Sequence, residues 1–443
     1  MTDTRPSEPG PLDRVLKIFG DVRAGEGATV LLMSLNVFVL LVAYYVLKTV
    51  REPLILGCGG AELKSYAAAF QAVTLIAYVP LYGWMASRLP RQKFLLVVVL
   101  FFVGCIQLFV LARLLELPYT GFAFFIWVGI FSLTTIAQFW SYANEIYSRP
   151  EGERLFPLIA VGSVAGAPLG AALAEWLFGL GVRPYVMMEL AAGLLLLHLA
   201  LYRIVGRRAQ AGPKAEQEPM KEGNGFAMVL GSRYLGLIAL LLVLLNLVNT
   251  VGEYILGNAV VSAADAQAAA LAGFDKQAFI GQFYGNYFFW TNVATIVLQA
   301  FVVSRLVKRF GMQGVLLALP LVALCAYGTA AAGAGLAALL YVKVAENSTD
   351  YSVNNTAKQM LWLPTSREQK YKAKQAIDTF FVRSGDMLAA GVVYVGTHLV
   401  SRGVAGFARI NILIVAAAIV VAVLLLREYR RLTAPQEGAA AGS

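Results

Sequence analysis

Apolar runs of about twenty residues follow one another along this chain from Thr29 to Leu426. Coiled as a helix, a run of that length spans the hydrocarbon of a bilayer. Such runs recur throughout a 443-residue chain that is 59% hydrophobic and only 14% charged, with a mean hydropathy of +0.68. The pattern therefore predicts an all-α membrane protein of twelve transmembrane helices in two six-helix halves. The expected spans are 29–50, 66–87, 93–114, 121–143, 156–181 and 184–205, then 233–257, 280–304, 313–333, 336–358, 375–399 and 404–427. They divide the chain into a tail (1–28), one half (29–205), a polar linker (206–232), a second half (233–427) and a second tail (428–443). The first 27 residues are polar and contain no apolar core, so a cleavable leader is not expected.

The net charge of +10 would suggest a nucleic-acid partner in a soluble protein. Here topology explains it. With the amino terminus inside, 25 Lys and Arg fall in the tails and loops on that side and about eight on the other. That asymmetry orients both termini toward the cytoplasm, across a bacterial inner membrane, and leaves no reason to expect nucleic acid. Cys58, Cys105 and Cys325 lie in or beside apolar runs without a CxxC pair, and His198 and His398 stand alone on apolar segments. A disulfide framework, a metal site and a bound cofactor are all unexpected. No GxxxxGK[ST] loop, HExxH helix or GxSxG elbow is present, so enzymatic chemistry has no visible machinery.

Two short basic hairpins, GWMASRLPRQKFL (83–95) and SRLVKRFGMQGVL (304–316), occupy equivalent places in the two halves. Both resemble the loop signature of the major facilitator superfamily, which implies parallel halves that rock around a midplane site. Gly162, Gly166 and Gly170 repeat every four residues and would let two helices approach closely. Gly166 and Pro168 also resemble the glycine-proline signature of exchangers in that superfamily, with Ala167 interposed.

Ionisable residues inside apolar runs are costly and need a purpose. The first run ends with Lys48, Arg51 and Glu52 on about one helical turn, with Tyr44 one turn earlier. These cations either snorkel to the headgroups or line a site that awaits an anion. The tenth span, YVKVAENSTDYSVNNTAKQM, carries Lys343, Glu346, Asn347, Asp350, Asn354 and Lys358 at spacings of three and four. The fourth ends with Asn144 and Glu145 behind Trp140 and Tyr142. The seventh carries Asn246, Asn249 and Glu253, and the eleventh Asp378, Arg383 and Asp386. Structural ion pairing would explain any one of these residues. Their concentration on the first, fourth, seventh and tenth spans favours a carrier of a charged solute, since those spans line the cavity in the superfamily.

The segments YYVLKTVREPL (44–54), FWSYANEI (139–146), NLVNTVGEY (246–254) and QMLWLPTSREQKYKAKQAID (359–378) resemble the nucleotide transporter family, the ATP/ADP translocases of plastids and intracellular bacteria. The resemblance runs in the same order over most of 30–430. It implies exchange of ATP for ADP, or nucleotide movement with protons. It also implies transport roles for the Lys48/Arg51 pair, Glu145 and Glu253, and it aligns the family's basic run with Lys370, Lys372 and Lys374. The family's Arg-Asp-Thr-Lys-Asp reads Lys48-Thr49-Val50-Arg51-Glu52 here, and its Gly-Lys-Ser-Gly-Gly is replaced by Arg383-Ser384-Gly385-Asp386. The leading expectation is thus a secondary transporter of an anion, ATP or ADP first among them. The competing readings are a proton-coupled carrier or exporter of another metabolite or drug, and a non-transporting membrane scaffold.

Overall fold

A computed structural model describes residues 10–18, 21–88, 91–208, 225–366, 368–399 and 403–433. Most of the linker, one hairpin's turn at 89–90, Arg367 and the outer parts of both tails lie outside the described residues. The described chain is helical in this order: α1 (Pro11–Leu16), α2 (Gly27–Arg88), α3 (Arg91–Leu114), α4 (Thr120–Ile146), α5 (Arg149–Gly179), α6 (Pro184–Arg208), α7 (Gly225–Gly231), α8 (Arg233–Ala270), α9 (Lys276–Val297), α10 (Val303–Ala331), α11 (Leu336–Thr349), α12 (Asn355–Leu361), α13 (Lys374–Ala376), α14 (Val382–Tyr394) and α15 (Val404–Thr433). Single π-helical turns join several of these, among them Leu298–Val302 and Asp350–Asn354. Among the described residues, eight helical stretches are long and apolar enough to cross a membrane. The chain is a multi-pass membrane protein.

Two of those stretches, Gly27–Met85 and Lys276–Ala331, run 59 and 56 residues. At about 1.5 Å per residue, each far exceeds one bilayer crossing. Both are broken internally by glycine. In α2, Gly60 has φ +67°, a left-handed conformation that a side chain would strain, and Gly311 breaks α10 at φ +58°. The sequence predicts a loop over 51–65, but helix continues to this break and resumes at once beyond it. Pro53 does not end the helix, as membrane helices tolerate a proline where neighbours cover the freed carbonyl.

The fold contains two compact units. The first takes the described chain up to Cys58 together with 80–208 and 271–289. Its centre is the first stretch of α2, where Met33, Leu40, Leu47 and Ile55 are wholly buried. The glycine stripe of α5 packs here as its spacing predicts. A Cβ on Gly162 would lie 2.0 Å from the Ser34 carbonyl oxygen, and one on Gly170 2.8 Å from that of Val42. Substitution of Gly162 by alanine would therefore push the two backbones apart. The rings of Phe124, Trp127 and Phe131 stack along α4, and Phe102 of α3 meets Trp127 and Phe131 edge to face.

The second unit takes 59–79, 225–270 and 290–433 of the described chain. Its apolar core joins α8, α10 and α15 through Leu235, Ile238, Val315, Leu316 and Leu425, all essentially inaccessible. Large apolar side chains elsewhere point outward, for example Phe101 (60% exposed) in the first unit and Leu413 (71%) in the second. That outward surface suits lipid.

Candidate substrate-binding site

In the first unit, the cationic turn of α2 forms where the sequence puts it. Lys48 Nζ lies over two rings, 4.2 Å from the centroid of Phe288 and 5.0 Å from that of Tyr45. Ring faces stabilise an ammonium through their quadrupole. Arg51 packs over Phe125 at 4.2 Å and donates from Nη2 and Nε to Glu52 Oε1 at 2.5 and 3.1 Å. The Glu52 side chain is fully buried and that of Arg51 is 14% exposed, so the accessible face of this pair is cationic. Tyr44, expected to accompany Lys48, instead packs its ring on Tyr45 and Phe131.

Asn144 and Glu145 do not join that turn. A Cβ on Gly121 would lie 2.3 Å from the Leu54 carbonyl oxygen, while Phe131 stands beside Tyr44, so α4 runs antiparallel to α2. Glu145 comes fourteen residues after Phe131, which is about 20 Å along the helix axis. Both residues are exposed at the end of α4, at the opposite end of the span from Lys48.

The second unit contains a buried charge network that draws on α8, α10, α11 and the segment after Gly60. Glu253 accepts from Lys64 Nζ at 3.2 Å and from Asn347 Nδ2 at 3.3 Å, with Lys343 Nζ at 3.8 Å. Lys343 in turn donates to Glu346 Oε2 and Asn249 Oδ1, both at 2.9 Å. The Tyr327 hydroxyl closes the chain, 2.7 and 2.8 Å from the two Glu346 oxygens. Two ammonium groups thus alternate with two carboxylates. Buried charges survive only when paired and hydrogen-bonded in this way. Glu253 is the accessible member at 22%, while the other three ionised side chains are 3–6% exposed. Gly252 makes room for the arrangement, since a Cβ there would sit 1.9 Å from the Tyr327 hydroxyl and 2.8 Å from Lys343 Nζ.

The remaining polar residues form separate groups. Asp350 accepts from Asn354 at 2.6 Å and faces Lys358 at 3.4 Å, within and just after the π turn Asp350–Asn354. Asp386 accepts from Thr250 at 2.7 Å and Asn246 at 2.9 Å, with Arg383 at 3.6 Å. Lys372 pairs with Glu368 and Lys374 donates to Gln359. Lys64, Tyr327 and Gly252 were not legible as site residues. Lys64 lies in a stretch assigned to a loop, and Tyr327 and Gly252 sit in apolar runs. Glu62 and Lys64, two and four residues after the Gly59-Gly60 pair, were the available signal.

Residues 11–114 match the model of the TLC ATP/ADP transporter family, and the matched region holds Lys48, Arg51, Glu52 and Lys64. ADP,ATP carrier protein 1 of Chlamydia pneumoniae is 23% identical over 466 aligned positions, covering 87% of each chain. The chain is similar to the ATP/ADP transporters of the TLC family. ADP,ATP carrier protein 1 of Chlamydia muridarum is 24% identical, over 85% of this chain and 83% of its own. Among solved structures, a mutant of the nucleoside transporter NupG superposes with a TM-score of 0.67 at 12% identity, over 90% of this chain and all of NupG. The POT family transporter PepTSo gives 0.64 at 13% identity, over 91% and 98%. At such identities these two establish the fold of the chain alone.

Proposed function

We propose that this protein is a secondary carrier of nucleotides, exchanging ATP for ADP or moving them with protons. The observation that carries the reading is similarity to an ADP,ATP carrier along 87% of both chains, together with a TLC ATP/ADP transporter match over residues 11–114, a region that holds the cationic turn. Its architecture is twelve transmembrane helices, counting α2 as two about Gly60 and the 276–331 stretch as two about Gly311. Both termini and the 206–232 linker face the cytoplasm across a bacterial inner membrane; the 25-to-8 split of basic residues supports that orientation.

Lys48 and Arg51 bind phosphate oxygens, Arg51 through its forked donors and Lys48 as a compact charge. Arg51 releases Glu52 as it takes the anion. Glu253 answers changes of occupancy in the second unit, because it is the reachable carboxylate and holds two ammonium groups. Protonating it, or bringing a phosphate to Lys64 or Lys343, re-partitions those pairs and so favours another conformation. Transport follows from that bias, with no covalent step.

Counterflow tests the reading. The purified protein is reconstituted into vesicles preloaded with ADP, and entry of labelled ATP is followed. Accumulation that depends on internal ADP or on an imposed proton gradient supports it. Exchange of a different organic anion, with ATP and ADP neither transported nor competing, overturns it.

A further inference from the structure

A second cationic feature lies in the first unit, away from the cationic turn. At the start of α3 and the end of α6 is a cavity of about 380 Å³ walled by Lys93, Arg203 and Arg207. The buried rings of Tyr142 and Tyr202, edge to face at 4.9 Å, are also part of its lining. Among the described residues no carboxylate lines it, so its charge is +3. The three cations are exposed. Lys93 opens one membrane-crossing stretch (Lys93–Leu114), and Arg203 and Arg207 close another (Pro184–Arg208), which places all three at headgroup level.

Below the cations the same helix faces are apolar and outward. One and two turns from Lys93 come Val97 (47% exposed) and Leu100 (45%), and two turns before Arg203 comes Leu196 (47%). A ligand suited to this site has an anionic head for three cations and acyl chains for the stripes beneath. A soluble phosphate would use only the first feature. A cavity of this size lies within the range of roughly 300–1,000 Å³ typical of small-molecule sites.

We propose that this cavity is a binding site for the phosphate headgroup of an anionic phospholipid, with its acyl chains laid along α3 and α6. The site is independent of the nucleotide reading and requires only that the chain span a membrane. Basic residues near a membrane surface each strengthen attachment to anionic lipid by roughly fivefold. Removing all three therefore weakens it by about two orders of magnitude. Added salt weakens it as well, since the cations are exposed.

The test is thermal unfolding of the full-length protein in a neutral detergent, titrated in parallel with phosphatidylglycerol, phosphatidylcholine and inorganic phosphate. The expected result is a rise in Tm that saturates with phosphatidylglycerol only. The combined variant Lys93→Gln, Arg203→Gln and Arg207→Gln should lose that rise, while Arg208→Gln, outside the cavity, should keep it. Protection of the triple variant equal to that of the wild type would overturn the proposal. So would inorganic phosphate or phosphatidylcholine matching phosphatidylglycerol. If the triple variant does not fold, native mass spectrometry of the wild type and of Arg207→Glu decides. Tightly retained phosphatidylglycerol that the single variant sheds supports the site, and equal retention by both contradicts it.

Discussion

The Lys343 ammonium lies 2.9 Å from the Glu346 carboxylate one turn further along the same helix, and both are almost wholly buried. Tyr327 holds the other side of Glu346, and Glu253 stands 3.8 Å from Lys343. Removing one member of such a pair leaves a buried charge uncompensated, which destabilises by about 3–5 kcal/mol. Lys343→Met should therefore lower the thermal stability of the purified protein strongly. Lys343→Met with Glu346→Gln should recover much of the loss, because the surviving side chain is neutral. Equal losses in the single and double variants would show that the two charges do not act together.

Gly252 offers a steric test of the same network. A methyl group there would overlap the Tyr327 hydroxyl and crowd Lys343. Overpacking of this kind typically destabilises by about 1–3 kcal/mol. Gly252→Ala should depress both stability and counterflow. Gly328→Ala, where a new Cβ meets nothing within 4 Å, should alter neither. Wild-type behaviour in Gly252→Ala would mean that Tyr327 and Lys343 move apart freely and do not form a fixed site.

Much of this arrangement was legible in the sequence, and the part that was not has a physical cause. The cationic turn could be read because Lys48, Arg51 and Glu52 share one helix, as do Lys343, Glu346 and Asn347. The Lys64–Glu253 contact joins residues 189 apart, and no local periodicity reports such a pairing. The tenth span reads as one continuous polar face from Lys343 to Lys358. The π turn at Asp350–Asn354 inserts extra backbone and shifts the helical phase. The face accordingly splits, with Lys343, Glu346 and Asn347 joining Glu253 while Asp350, Asn354 and Lys358 interact with one another. Likewise, the first span is expected to end at residue 50, yet the backbone breaks only at Gly59 and Gly60.

The start of the first span is held by a carboxylate. Asp13 accepts the backbone N–H groups of Gly25 and Gly10 at 3.0 Å and of Gly27 at 2.9 Å. The bonds from Gly25 and Gly27, followed by that from Gly10, hold its carboxyl below the usual range. A depressed carboxylate contributes stability above its unfolded pKa of about 3.9 and loses it as pH falls through the lower folded value. The N-terminal segment should therefore stay docked from pH 5 to 8. Asp13→Asn should loosen it throughout, seen as faster tryptic cleavage after Arg23 at pH 8. An unchanged cleavage rate would remove Asp13 from this role.

The central claim is that Lys48 and Arg51 hold the phosphates of a nucleotide, and direct binding of labelled ADP to the purified protein tests it most closely. Arg51→Ala alone would leave Glu52 buried beside a lost partner. The informative variants are therefore Lys48→Gln and the paired Arg51→Gln with Glu52→Gln, each checked for monodisperse elution. Losing one charged partner of a desolvated contact weakens binding by about 2–5 kcal/mol, roughly 30-fold or more. The account predicts at least that loss for either variant, with partial retention in Arg51→Lys, which keeps the charge but not the fork. Near-wild-type ADP affinity in the variant that combines Lys48→Gln, Arg51→Gln and Glu52→Gln would contradict it.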